Sequence, residues 1–292
     1  MQELANTPEI NNDLESVSVR LAETPEELEA AQRLRYEVFY NEYGAIPNKE
    51  MSQNAKDFDE YDEYADHLIV IDEEAPKDNR IIGTYRLLQR NAATKVGQFY
   101  SESEYDLGPL LRSEKKLLEL GRSCVLAPYR NRPVLQLLWQ GIADYISEHD
   151  IDLMFGCASL HSTDIKSISA PLSYLYHYHL APETIRPRAV KGRYINMNII
   201  PQEDINARRV FAELPPLIKG YLRVGASIGD GAVIDEQFNT TDVFIVVQTH
   251  LLTDRYRKHY ERKIQKSMPG TEKSENEDNV TPLRTAASKT GA

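Results

Sequence analysis

The stretch from Leu117 to Leu180 limits the fold most. It reads as a strand (Leu117 to Leu126), a helix (Pro133 to Glu148), a second strand (Ile151 to Ala158) and a Tyr-rich helix (about Ile165 to Leu180). Two more strands, His67 to Ile71 and Arg80 to Leu88, lie ahead of it around the turn signal Asp78-Asn79. A β-α-β-α run on the end of a hairpin predicts an α/β fold with a mixed sheet. Upstream, a short strand (Val17 to Leu21) precedes a helix opened by a capping box: Thr24 as N-cap, Pro25 in the first helical position and Glu27 three residues on. Tyr194 to Val247 holds two further strand candidates and a short helix, and no internal repeat is present. Residues 1 to about 16 and about 265 to 292 are polar with little to bury, so both read as disordered tails around one domain over 17–264.

Composition narrows the class. No run approaches the ~20 apolar residues of a membrane helix. Glu3, Glu9, Asp13 and Glu15 stand where a signal peptide would be basic and then apolar, so a cytoplasmic protein is expected. Cys124 and Cys157 each lie in an apolar strand-like run, which suits buried thiols rather than a disulfide framework, and no Cys/His cluster has zinc spacing. A net charge of −11 argues against nucleic acid or an anionic lipid surface as a general partner unless basic residues concentrate locally. Arg186, Arg188, Lys191 and Arg193 are such a concentration, with Lys115-Lys116 as a second.

Four groups of polar residues sit in or beside apolar stretches. On the stripe Leu28, Ala31, Leu34, Val38, Arg35 falls four residues after Ala31 and three before Val38, so its guanidinium is aimed toward the core. A buried Arg needs a carboxylate, because breaking such a pair costs ~3–5 kcal/mol. Asp59, Asp62 and Glu119 are the candidates. Asp59 and Asp62 are spaced to face one way in a turn. Strict alternation would put Glu119 and Arg122 on opposite faces, but Gly121 between them permits a β-bulge that brings both to one side. A bulge also frees backbone N–H groups. Free amides beside a carboxylate suit acyl transfer to an amine: a base, directly or through water, for the ammonium proton, and donors for the tetrahedral oxyanion.

The spacings Arg35-x3-Phe39, Asp59-x2-Asp62, a lone strand Arg86 and Glu119-x2-Arg122 resemble the acyl-homoserine-lactone (autoinducer) synthases of the GNAT acyltransferase superfamily, which take acyl chains from acyl carrier protein. From Arg20 to about Val247 the chain is more closely similar to the hemolysin-like branch of GNAT proteins, the L-ornithine N-alpha-acyltransferases. The motifs are Arg35-Tyr-Glu-Val-Phe39, Asp66-His-Leu-Ile-Val70, Leu118-Glu-Leu-Gly-Arg122-Ser-Cys-Val125, Leu175-Tyr-His-Tyr-His-Leu180-Ala-Pro182 and Pro215-Pro-Leu-Ile-Lys219-Gly-Tyr221, followed by Asp230-Gly. The resemblance implies a GNAT-like fold with a mixed, mostly antiparallel central sheet flanked by helices, 194–250 being its family-specific C-terminal part. It implies transfer of a 3-hydroxyacyl group from acyl carrier protein to the α-amine of L-ornithine, the first step of ornithine lipid biosynthesis. A separate O-acyltransferase would add the second chain, and contact with the inner membrane would come through the lipid product. Glu119, as base or amine-positioning acid, and Arg122 would be catalytic; Arg35, Phe39, Asp59, Asp62 and Arg86 would bind substrate. No metal and no cofactor beyond the carrier's phosphopantetheine is expected.

One departure bears on the donor. GNAT acetyl-CoA enzymes usually follow this strand with a Gly-rich loop that cradles pyrophosphate; here the stretch is Ala127-Pro-Tyr-Arg130-Asn-Arg132-Pro133. Arg130 and Arg132 would hold the single phosphate of a phosphopantetheine, which favours a carrier protein over CoA, with Arg186, Arg188, Lys191 and Arg193 as its docking surface.

Blander readings stand beside these. Glu119 and Arg122 alone would be a structural ion pair, and Asp59 and Asp62 alone solvated turn acids. His161 and the stripe Tyr174, Tyr176, Tyr178 read as packing with polar tips, and Leu214 to Val224 as ordinary core, with an acyl channel or membrane face as the alternative. Gly225-Ala-Ser227-Ile-Gly229 matches a nucleophile elbow with Asp242 and His250 following, but what comes after is a turn into extended chain rather than a helix. The enzymatic rival is an autoinducer or other N-acyl-amino-acid synthase. A non-catalytic acyl-carrier or lipid-binding protein is the rival of another class.

Overall fold

The computed structural model describes residues 16–76, 79–130 and 132–252, with Arg132 in backbone only. Both tails, Asp78 of the hairpin signal and the Arg132 side chain lie outside these residues. In chain order the elements are β1 (Val17–Leu21), α1 (Pro25–Tyr36), α2 (Lys49–Asn54), β2 (Asp66–Asp72), β3 (Ile81–Gln89), α3 (Arg90–Val96), β4 (Tyr105–Asp106) and α4 (Gly108–Leu111). There follow β5 (Leu117–Val125), α5 (Arg132–His149), β6 (Leu153–Leu160), α6 (Ser169–His179), β7 (Arg188–Ala189), α7 (Ala207–Glu213), α8 (Pro216–Arg223), β8 (Ser227–Asp235) and β9 (Thr240–Gln248). The strands form one nine-stranded sheet in the order β1-β2-β3-β5-β6-β9-β8-β7-β4. It is mostly antiparallel, with β5 and β6 parallel at its centre because α5 carries the chain from one to the other.

The two central faces bury different sets. On β2, Leu68 and Val70 join the large core with Leu138, Ile142 and Ile146 of α5, while Ile69 and Ile71 pack on Ala31 of α1. Each such side chain contributes ~1.5–3 kcal/mol on burial. A Cβ at Gly141 would come within 2.7 Å of Leu68 Cδ1, so glycine sets how closely α5 lies on β2. Thr24 caps α1 as its sequence implies, accepting from Glu27 N at 3.3 Å. The Glu27 carboxylate itself goes to Glu23 N at 2.8 Å and to Arg20.

Two elements depart from expectation. The Tyr-rich helix starts at Ser169 rather than near Ile165, because Pro171 belongs in a first turn and Asp164 to Ser169 is held as turns by Asp164 O and Lys166 O. The short helix before β8 is two, α7 and α8, because Pro215-Pro216 stops one and starts the next. The part over 194–250 lies inside the sheet, where β9 pairs with β6 along eight residues. Leu214, Ile218, Tyr221 and Val224 are core, the blander of the two readings of that segment.

Candidate active site

β5 and β6 pair only at Leu117–Leu153, Leu118–Met154 and Glu119–Phe155. Beyond that point they part into a fork. Gly156 marks the last close approach: a Cβ there would lie 2.2 Å from Leu120 O, and its φ is +159°. On its other side β5 stays paired with β3, with a register shift between Thr84–Cys124 and Arg86–Gly121. This is the bulge anticipated at Gly121, but the left-handed residue is Arg122 (φ +52°). A side chain in that region costs ~1–2 kcal/mol. The shift puts Glu119 and Arg122 on one face: Tyr100 N donates to Glu119 Oε2 at 2.8 Å, and the Arg122 guanidinium lies 4.7 Å from the Tyr100 ring centroid.

Arg35, fully buried, finds its acids. Its Nη1 and Nη2 donate to the two oxygens of Asp62 at 3.0 and 2.5 Å, and its Nε lies 2.7 Å from Asp57 Oδ2 as an ion contact too bent to be a hydrogen bond. Arg86 Nη1 donates to Asp62 Oδ1 at 2.9 Å and to Asp59. Arg122 donates Nη2 to Asp59 Oδ2 at 3.1 Å and Nε to Asp57 Oδ2 at 3.2 Å. The six groups therefore close into a ring of alternating charge: Arg35, Asp57, Arg122, Asp59, Arg86, Asp62. Every charge touches two of the opposite sign. Burial pushes the Asp62 carboxyl up, yet the charge and hydrogen bonds of Arg35, with Arg86, hold it well below its ordinary value. Asp57 is likewise depressed against burial, by Arg122 and Arg35 and by the Tyr40 hydroxyl, which donates to it at 2.9 Å.

Exposure is graded around the ring. The Arg35 and Asp57 side chains are 0% exposed, Arg86 3%, Asp62 4%, Arg122 10% and Asp59 14%. Solvent is met at the Asp59–Arg122 corner. There an open cleft of about 590 Å³ is lined by Ile46, Met51, Phe58, Asp59, Glu60 and Gln237. Aromatic rings wall the cations: Arg86 lies 5.4 Å from the centroids of both Tyr61 and Tyr100, and Arg122 lies 5.0 Å from that of Phe238. Phe39 packs edge-on against Phe238 at 5.6 Å, the ring that Arg122 faces.

Glu119 is not a member of the ring. Its oxygens accept from Tyr100 N and Ser101 N, both at 2.8 Å, and from the Ser101 hydroxyl, so it caps the 3-10 turn Tyr100–Ser103 and holds Tyr100 over Arg86 and Arg122. Of the three candidate partners of Arg35, Glu119 is therefore not the one that meets it. Burial raises the pKa of Glu119.

A second buried group went unseen in the sequence. Glu104, Cys157 and Asp242 bring two carboxylates and a thiol within 4.8 Å of one another, Cys157 lying just past Gly156 on the β6 side of the fork. Cys157 Sγ donates to Glu104 Oε2 at 3.3 Å, and Arg193 pairs with Glu104 Oε1 at 3.1 Å. Burial first, then the charge of Asp242, pushes Glu104 up to about 7, and burial pushes Asp242 up to about 6.

The remaining candidates sort by their partners. Of Arg186, Arg188, Lys191 and Arg193, two are ion-paired, Arg188 with Asp230 at 3.0 Å and Arg193 with Glu104, and Arg186 Nε donates to Ala181 O at 2.6 Å. Lys116 pairs with Asp150 at 3.2 Å. Arg130 donates to Glu42. Ser227 opens β8 opposite Val246, with Gly229 inside the same strand, so no nucleophile elbow exists. His67 and Asp72 have the His-x4-Asp spacing of glycerolipid O-acyltransferases. They stand ~17 Å apart along β2 on opposite faces, and cannot act together. Burial raises Cys124 to about 12, which makes it inert.

A mixed sheet that forks at its centre beside a bulge defines an acyltransferase of the GNAT class, and residues 34–140 match the family model described as an acetyltransferase (GNAT) domain. An L-ornithine N(alpha)-acyltransferase of Rhodobacter capsulatus is 41% identical over 252 residues, 86% of this chain and 96% of its own. One of Brucella abortus is 44% identical over 249 residues, 84% of this chain and 89% of its own. The chain belongs to the L-ornithine N(alpha)-acyltransferase family. Among solved structures, the N-acyl amino acid synthase FeeM from uncultured soil microbes aligns at 13% identity over 83% of this chain and 93% of its own, with a TM-score of 0.47.

Proposed function

We propose that the protein transfers a 3-hydroxyacyl group from acyl carrier protein to the α-amine of L-ornithine, forming lyso-ornithine lipid. Its relatives' names support the acceptor. One observation carries the chemistry: a strand fork with a bulge at Arg122, beside the ring corner most open to solvent. Ornithine carries a carboxylate and two ammonium groups. Arg122 offers a cation to the first, and Asp59 with Glu60 at the cleft offers anions to the others.

In this reading the thioester carbonyl sits at the fork, where the edge of β5 toward β6 carries no ladder hydrogen bonds beyond Glu119. Backbone N–H groups of that edge hold the oxyanion. The amine nitrogen attacks the carbonyl carbon, its proton passes to Ser101 Oγ as the Ser101 proton passes to Glu119, and the C–S bond breaks with the thiolate leaving on the phosphopantetheine arm, where it takes up a proton. A buried carboxylate with a raised pKa is suited to this transfer. The product then needs a separate O-acyltransferase for its second chain. Among the described residues no helix is long and apolar enough to cross a membrane, so any membrane contact would be peripheral through those residues.

The test is mass spectrometry of products after incubating the purified protein with 3-hydroxyacyl carrier protein and either ornithine or S-adenosylmethionine. Acyl-ornithine is expected. An acyl-homoserine lactone would establish the autoinducer synthase instead, and binding of the acylated carrier protein with no thiol release on adding any amine would remove acyl transfer altogether.

A further inference from the structure

A strap crosses the mouth of the fork. α1 runs on into a π-helical turn, Glu37–Glu42. The chain then passes through Tyr43 and Gly44 (φ +74°) before Ile46 N donates to Gln237 O at 2.7 Å in the β8–β9 turn. Between these anchors it is fastened to both prongs. On the β6 side the Tyr43 ring stacks on His161, the first residue after the strand, with centroids 4.9 Å apart and planes 21° from parallel. On the β5 side Arg130 donates Nε to Val125 O at 2.9 Å, at the end of the strand, and its guanidinium lies 5.3 Å from the Tyr43 ring centroid. The Arg130 Nη atoms donate to the two oxygens of Glu42, Nη2 to Oε2 at 2.5 Å. This two-point geometry is the one a guanidinium takes on a phosphate.

Gly44 has nothing within 4 Å of where a Cβ would stand, so no neighbour packs the strap down at that residue. Tyr43 is 41% exposed, although its ring bridges two strand ends. Glu42 and Arg130 are each about a third exposed, so their pair is weak enough to be exchanged.

We propose that Glu42 is an internal stand-in for the phosphate of the donor's pantetheine arm, and that the Glu42–Arg130 pair, with Tyr43 as a bar, keeps the fork closed until that phosphate takes Arg130. The inference rests on the phosphopantetheine-donor reading above. Arg130 then has two roles that pull in opposite directions. It attracts the phosphate, and it holds the strap shut against any donor.

Two synthetic donors separate these roles: a 3-hydroxyacyl-phosphopantetheine thioester and the same thioester without its phosphate, each assayed with ornithine on the full chain. A closed state favoured by one exposed ion pair lowers apparent affinity by about two- to five-fold. Glu42→Gln should therefore lower KM for both donors by about two- to five-fold with kcat unchanged. Arg130→Ala should abolish the preference for the phosphorylated donor and yet lower KM for the phosphate-free one. Tyr43→Ala, which leaves the charges in place, should act like Glu42→Gln, and melting curves of all three would show that they are folded. A rise in KM, or no change, for Glu42→Gln and Tyr43→Ala would overturn the strap while leaving acyl transfer intact. Failure of the wild type to use either donor, with the carrier-bound donor also inert, would instead defeat the acyl-transfer reading beneath it.

Discussion

Two buried polar clusters share one face of the sheet, one built on β5 and the other on β6, and Asp57 and Asp62 of the first are shifted opposite to Glu104 and Asp242 of the second although burial pushes all four up. In the ring, three guanidiniums meet three carboxylates, and Asp57 and Asp62 are held below their ordinary pKa although almost no water reaches them. In the trio, Glu104 and Asp242 have one cation between them, Arg193, whose side chain is 36% exposed, and both acids are pushed up, to about 7 and about 6. Desolvation alone therefore does not set the state of a buried acid. What decides is whether each charge has enough opposite charge within contact. The ring is a rigid, neutral unit that fixes Arg122 and Asp59; the trio is a site with negative charge to spare.

Removing one ring member should have the largest effect. Arg35→Met leaves Asp57 and Asp62 buried beside an apolar chain and should destabilise the fold by ~3–5 kcal/mol in urea unfolding. A cost below ~1 kcal/mol would mean that the charges are not held as a closed ring. The pH dependence comes next, and the clusters should oppose each other. Asp57 and Asp62 add stability above the unfolded carboxylate range near pH ~4, which is lost as pH falls through their depressed values. Glu104 and Asp242 stay protonated in the fold after they have ionised in the unfolded chain, so stability should fall as pH rises from ~4 toward 7. Glu104→Gln should remove a slope on the order of 3 kcal/mol between urea midpoints measured at pH 4.5 and 8. If the variant kept the wild-type slope, the comparison would be broken on the trio's side.

A smaller test sharpens it. Thr240 Oγ1 donates to Asp242 Oδ1 at 2.9 Å. Thr240→Val should cost ~1 kcal/mol in chemical denaturation, and more at pH 8 than at pH 5, because the ionised acid loses a stronger bond. Outside both clusters, Ser227→Ala should change stability by less than ~0.5 kcal/mol and leave turnover as it is. Loss of turnover there would revive the serine-nucleophile motif.

The ring was only partly legible in the sequence. Arg35 stood out because a cation on an apolar stripe is an anomaly with one remedy, and Gly121 signalled the bulge through its missing side chain. That Arg122 rather than Gly121 takes the left-handed turn was not readable, since contacts with Asp57, Asp59 and Tyr100 hold it there. Asp57 looked like any acid in the run to Asp66, and only its burial behind Tyr40 sets it apart. Glu104 and Asp242 are brought together by the pairing of β9 with β6 and by the Tyr105 hydroxyl, which donates to Asp242 O at 3.0 Å. No local pattern carries that information. Nor was it readable that Arg188 and Arg193 of the basic cluster are paired, because their partners Asp230 and Glu104 are remote in sequence.

Asp57 and Asp59 occupy equivalent places in the ring but differ in access to solvent, and in the proposed reading that difference separates the scaffold acid from the one that meets ornithine. The direct measurement is the KM for ornithine, alongside the melting temperature, in Asp57→Asn and Asp59→Asn. Asp59→Asn should raise the ornithine KM about ten-fold or more, through loss of a charge-assisted contact, with a modest fall in melting temperature. Asp57→Asn should show the larger fall in melting temperature and an ornithine KM within about two-fold of wild type, because its effect is confined to the buried half of the ring. An unchanged ornithine KM in Asp59→Asn, with a raised one in Asp57→Asn, would contradict the assignment of the solvent-reaching corner as the amino-acid site.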